Sequence, residues 1–175
     1  MKTLLKVLGA LVALVLLAVL VGALLPREHS ASRSIVLHAP AAEVWAVMTD
    51  FAGAATWREG LESVELLPPQ DGRTVFRETS GFGPLTIIVD ESTPPRRLVT
   101  RILDTDQGFG GTWTYVLAEE GPGTRVTITE DGVIDNPLFR FLARFAFGYE
   151  KTLDSYLRAL ARHFGESGEP GPAAP

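Results

Sequence analysis

Cysteine is absent from this 175-residue chain, histidine occurs three times and methionine twice. Without thiols the chain has no disulfide framework, no thiolate nucleophile and no lipidated cysteine anchor. His29, His38 and His163 are scattered and share none of the spacings of a metal site. There is no phosphate-loop lysine signature and no Gly-x-Ser-x-Gly elbow. The stretch "GFGGT", Gly108 to Thr112, lacks the third glycine of a dinucleotide loop and reads as a bend before a strand. No cofactor is expected from these residues, and no internal repeat is found.

Positive charge is also scarce after the first residues. Lys2 and Lys6 account for two of the 16 basic groups, whereas all 21 acidic groups lie beyond them, so the remainder carries about −7. Such a domain is a poor nucleic-acid binder, because neutralising phosphate supplies most of that affinity. Its charge also does not draw it onto anionic headgroups.

What the sequence has in abundance is one long apolar run. From Val7 to Leu25 every residue is apolar or glycine. Nineteen helical residues rise about 28 Å, close to the hydrocarbon thickness of a bilayer. Two readings remain open, a retained anchor and a signal sequence cut near Val21-Gly22-Ala23. The length favours the anchor, since secretory apolar regions run to roughly 7–15 residues. Lys2 and Lys6 before the span, against Arg27, Glu28 and Arg33 after it, favour a single-pass membrane protein with its domain extracytoplasmic. The expected division is 1–25 transmembrane anchor or uncleaved signal, 26–34 polar linker, 35–165 folded domain and 166–175 disordered Gly/Pro/Glu-rich tail.

Within the domain, "SRSIVLH" reads as a strand. Pro40 suits a first helical turn, and Val44, Val47, Met48 and Phe51 share a helical face that Gly53 ends. Six strand-like segments follow: "LESVELL", "GRTVFRET", "LTIIVDES", "RLVTRIL", "GTWTYVLAE" and "TRVTITEDGVI". Turns such as "PPQDG" and "EEGPGT" separate them without intervening helices, which predicts an antiparallel meander. Asn136 and Pro137 then open a helix of about 28 residues, with Phe139, Leu142, Ala146, Tyr149, Leu153, Tyr156, Leu160 and Phe164 on one stripe. The predicted class is α+β: a curved antiparallel sheet wrapped around a long C-terminal helix, with a space between them.

That order, with "APAAEVWAVMTDF…W" early, "GTWTY" and "GTRVTITEDG" late and "NPLFRFLARF" after them, resembles the START-like, Bet v 1-like superfamily. Within it the chain is most similar to the polyketide cyclase/dehydrase group. The resemblance spans roughly Ser32 to Gly165 and implies a helix-grip fold with a hydrophobic cavity. It further implies a lipid-like, quinone-like or aromatic ligand, carried or, in a minority of members, cyclised or dehydrated. No shared catalytic motif is carried over to numbered positions.

Strand alternation names the candidate lining residues. Trp113 and Tyr115 share a face, as do Ile128 and Glu130, and Phe76 and Glu78. Ile87 faces with Val89 and Glu91, and Arg101 with Val99 and Leu103. Trp57 follows the Gly53 break, and Phe145 and Tyr149 come from the last helix, whose Phe139, Phe141, Phe145 and Phe147 point to all sides. Buried unpaired carboxylates are costly, so Glu78, Glu91 and Glu130 also read as strand-end groups reaching water. The expected partner is a hydrophobic small molecule or lipid, with membrane contact through the first helix. Three functions follow: a membrane-anchored binding or carrier module, a cyclase/dehydratase using Arg101 with Glu78 or Glu130, and a protein-interaction or stress-related domain with a collapsed cavity.

Overall fold

Short β-branched segments between turn residues form strands, and here they join into one sheet. A computed structural model of the chain describes residues 2–81, 83–104 and 108–173. Helix α1 (Lys2–Leu24) precedes β1 (Glu28–Leu37), α2 (Ala41–Thr49) and a 3-10 turn at Ala54–Thr56. Then come β2 (Leu61–Gln70), β3 (Arg73–Ser80), β4 (Gly83–Thr93), β5 (Arg97–Ile102), β6 (Phe109–Glu120) and β7 (Gly123–Ile134). Helix α3 (Pro137–Leu142), a π-turn at Ala143–Phe147, α4 (Lys151–His163) and a two-residue β8 (Gly171–Pro172) complete the order. The eight strands form one antiparallel sheet in the order β2-β3-β4-β5-β6-β7-β1-β8. The predicted class holds: a curved antiparallel sheet gripping a C-terminal helix, with one apolar N-terminal helix.

Period-2 alternation decides what the helix meets. Cross-strand rows Thr100–Trp113–Glu130–Ala31 and Leu98–Tyr115–Ile128–Arg33 run across the inner face. Helix α4 lays Leu153, Tyr156, Leu157 and Leu160 on that face, all buried. Full burial of each leucine contributes about 1.5–3 kcal/mol. Helix α2 closes the grip with Val44, Trp45 and Met48, also buried.

Four expectations change. The segment read as a linker, 26–34, is mostly the start of β1, because each residue from Glu28 onward finds a partner on β7. The tail is ordered through residue 173. Glu166 accepts from the His38 backbone N–H at 2.8 Å, Arg33 donates to the Pro170 carbonyl at 2.8 Å, and Arg158 pairs with Glu169 at 2.8 Å. Ala174 and Pro175 of that tail, like Met1 of the anchor, lie outside the described residues.

The long helix is two helices. Asn136 caps α3 as expected, its Oδ1 accepting from the Leu138 and Phe139 N–H groups at 2.9 and 3.2 Å. Gly148 then takes φ +75°, ψ 152°, a conformation close to glycine-only, and the chain turns before α4. Separated from α4, α3 packs against α1. Finally, a bulge on β4 between Val89 and Glu91 moves Glu91 out of the Ile87–Val89 face, to an exposed pair with Arg97 at 3.0 Å.

Candidate functional site

Arg58 and Glu78 form a charged pair among rings on the inner face, where Arg33 and Asp154 form another at 2.7 Å. Arg58, in the loop before β2, meets Glu78 of β3 in a two-point ion pair whose second contact, Nη2 to Oε2, is 3.1 Å. Both side chains are largely covered. The Arg58 guanidinium lies 5.2 Å from the centre of the Tyr156 ring, and Trp57 meets the same ring edge-on at 5.3 Å. Trp113 and Tyr115 approach Tyr156 at 6.0 and 5.6 Å, so four aromatic rings cluster around the pair.

Electrostatics follow from that burial. Loss of water works against the Arg58 charge, but the Glu78 carboxylate more than offsets it, and the guanidinium pKa stands above its ordinary value. Burial pushes the Tyr115 phenol well above its ordinary range, and Tyr156 is raised for the same reason. Both phenols are therefore neutral donors at any physiological pH. A guanidinium has five N–H donors, and the two bonds to Glu78 leave others for a guest.

Covering is uneven around this centre. Helix α4 seals Tyr115 and Ile128, which are buried. Val64, Ile87, Trp57, Trp113 and Tyr149 are only partly buried where they pack on the core. With α3 packed against α1, these half-buried side chains form an incompletely covered apolar stretch of the inner face, and Glu78 stands on one of its strands. Two open clefts adjoin the core. One, about 250 Å³, lies between α2 and the C-terminal end of α4 and is lined by Ala46, Val47, Asp50, Gly53, Thr56, Trp57 and His163. The other, about 410 Å³, lies along Glu28–Ser30 and Asp131–Val133.

The sequence candidates separate into groups. Trp57, Glu78, Trp113 and Tyr115 come together around Tyr156, and Phe76 and Ile87 sit beside them as a cross-strand pair. Phe76 is buried and stacks on Phe51 at 4.4 Å. Ile128 is fully buried under α4 and has no access to a guest in this state. Glu130 and Tyr149 form a second cluster with His29, whose ring stacks on Tyr149 at 4.2 Å and places Nε2 3.5 Å from Glu130. His29 Nδ1 is buried and finds no hydrogen-bond partner among the described residues.

Two candidates lie elsewhere. Arg101 is on the outer face, 41% exposed, and binds Asp90 at 2.6 and 3.0 Å alongside Arg73. Its hydrogen bond, ahead of the charge it adds, holds the Asp90 carboxyl below the usual range. Apolar neighbours misled because the outer face has its own buried patch, Val75 and Ile88, the latter directly opposite Arg101. Phe145 is 61% exposed on the π-turn, away from the aromatic cluster. Arg101, Glu78 and Glu130 therefore do not converge. Sequence reasoning missed Arg58, which sits in a loop where no alternation applies; its only signal was adjacency to Trp57. It also placed His29 in a linker.

The polyketide cyclase/dehydrase and lipid transport family matches residues 28–165. Among solved structures, a START superfamily protein from Mycobacterium smegmatis is similar at 18% identity and TM-score 0.64, covering 78% of this chain and 97% of its own. The Zhui aromatase/cyclase from Streptomyces sp. R1128 is similar at 19% identity and TM-score 0.63, covering 79% and 94%. Norcoclaurine synthase from Thalictrum flavum is similar at 11% identity and TM-score 0.61, covering 78% and 94%. At these identities the likeness shows the fold alone. No curated protein matches the chain.

Proposed function

The chain belongs to the polyketide cyclase/dehydrase and lipid transport family, and from that premise we propose that it is a membrane-anchored binding module for a hydrophobic ring-containing molecule. The guest lies on the half-covered apolar stretch of the inner face, its rings against Trp57, Ile87 and Trp113 and its polar end at Arg58–Glu78. One observation supports this most: a charge pair kept inside an aromatic cluster, with donors to spare and an incompletely covered apolar surface beside it. Replacing such a pair by apolar residues is often neutral or stabilising, so its presence calls for another reason.

The balanced charge selects the guest. Glu78 already neutralises Arg58, so an anionic guest would add uncompensated charge. A neutral carbonyl accepts from Arg58, and a hydroxyl beside it donates to Glu78. Quinone-like and phenolic polycycles fit that description. Helix α1, apolar or glycine from Val7 onward and only slightly covered, supports retention at a bilayer, with the domain outside the cytoplasm as its flanking charges suggest. Acid–base catalysis by Arg101 with Glu78 or Glu130 has no support from the geometry, since the three groups stand apart.

The test is a titration of the full chain in detergent micelles with 2-methyl-1,4-naphthoquinone, read by quenching of tryptophan fluorescence. Saturable quenching is expected, and Arg58→Met weakens it by about 10–150-fold, the equivalent of one hydrogen bond to a charged group at about 1.5–3 kcal/mol. Linear, non-saturating quenching that is the same in both proteins would refute the reading and favour a domain with a collapsed interior.

A further inference from the structure

Residues 137–149, "PLFRFLARFAFGY", contain four phenylalanines, two arginines and no acidic group, inside a domain that is otherwise strongly acidic. In most folds such a stretch is buried. Here Phe139, Phe145 and Phe147 are 51%, 61% and 59% exposed. Next to these three, Ala146 and Arg144 are also exposed, so one end of the domain presents an apolar, cationic surface.

The position of that surface is fixed by α1. Gly22 lies so close to α3 that a Cβ there would overlap the Pro137 carbonyl and touch Phe141 Cβ. Ala18, Val19 and Val21 are partly covered on the same portion of α1, while almost everything before them is exposed. Arg140, buried, donates to the Leu25 carbonyl at 2.8 Å, placing a cation where the helix dipole of α1 is negative. Arg27 pairs with Asp135 just below. The joint between helix and domain is therefore packed: α3 lies against the last turns of α1, and its π-turn ends about 15 Å further along at about 1.5 Å per residue.

A helix of 23 residues is about 35 Å long, against about 30 Å of hydrocarbon. If α1 crosses a bilayer, its last turns lie at the boundary where the chain emerges, and the segment beside them lies there too. We infer that residues 137–147 are a second membrane element, a short aromatic helix and turn seated in the headgroup–acyl boundary, with Phe139, Phe145 and Phe147 among the chains and Arg144 at the phosphates. The occupant of this face is the lipid of the bilayer that α1 crosses, argued from continuity with the α1 packing and from the segment's charge. This rests on α1 being a membrane anchor. It adds that the domain stands against the bilayer at its α3 end.

The cysteine-free chain allows single spin labels. Phe145→Cys and Phe147→Cys probe the segment, Leu14→Cys the middle of α1, and Glu119→Cys an exposed site at the opposite end of β6 from Phe109. Each full-length variant is labelled and reconstituted in phosphatidylcholine/phosphatidylglycerol vesicles. The ratio of collisions with oxygen to those with a water-soluble nickel chelate is then read by power saturation. The expected result is a several-fold higher ratio at Phe145, Phe147 and Leu14 than at Glu119. A watery ratio at both phenylalanines with a lipid ratio at Leu14 overturns the inference and leaves the anchor intact. A watery ratio at Leu14 removes the anchor and the inference with it. Labels at both phenylalanines shielded from both reagents overturn it in favour of a protein, such as a second copy, on this face.

Discussion

Replacing Glu78 by leucine strands a guanidinium among rings, and the cost can be worked from the geometry. Breaking a fully buried pair by removing one partner costs about 3–5 kcal/mol. Arg58 here retains about a quarter of its side-chain exposure, so water recovers part of that, and about 2–3 kcal/mol is expected. Arg58→Met alone leaves a carboxylate that can protonate or turn toward water, and should cost less. The double variant Arg58→Met/Glu78→Leu removes both charges and keeps the volume, so most of the loss should be recovered. Urea unfolding of the four full-length proteins in one detergent, read by tryptophan fluorescence, gives the coupling energy. A coupling below about 0.5 kcal/mol would refute the idea that the pair is desolvated and interdependent, because exposed pairs lie in that range.

Other expectations test separate parts of the account. Gly148→Ala should cost about 1–3 kcal/mol, since φ +75° with ψ 152° is reserved for glycine; a thermal melt unchanged from wild type would show that α3 and α4 can join. Tyr115 and Tyr156 have folded pKa values above the unfolded value of about 10, so their contribution is complete below pH 10 and falls as pH rises through the folded values. Stability measured from pH 9 upward should decline, and less so in Tyr115→Phe. Asp90 is shifted the other way by Arg101 and Arg73, so its contribution is present above pH 4 and lost as pH falls further. An Asp90→Asn variant should lack that part of the acid limb. Arg101→Ala should change stability by at most about 1 kcal/mol and leave naphthoquinone binding unaltered, because the pair is half-exposed and on the outer face.

How far the sequence carried can be judged residue by residue. Strand positions were legible because alternation and turn residues act locally, and every predicted strand from Leu61 to Ile134 is present. The face of a strand was less legible. Arg101 and Val99 do share a side, but nothing local says which side is inner when Val75 and Ile88 give the outer face its own apolar patch. A single bulge at Asp90 reversed Glu91 for the same reason. Helical periodicity from Phe139 to Phe164 concealed the break at Gly148, since the apolar stripe serves two surfaces: α3 turns to α1, and α4 to the sheet. Arg58 and His29 owe their places to loop path and strand pairing, which depend on contacts far apart in the chain.

The central claim is that the grip holds a neutral apolar molecule against Arg58–Glu78. The most direct measurement exposes the full-length protein to a membrane lipid extract, repurifies it and records its mass under native conditions, alongside Arg58→Met and Arg101→Ala. The account predicts a discrete bound mass in the wild type and in Arg101→Ala, lost or strongly reduced in Arg58→Met. An empty wild type, or a bound mass retained equally in Arg58→Met, would contradict it.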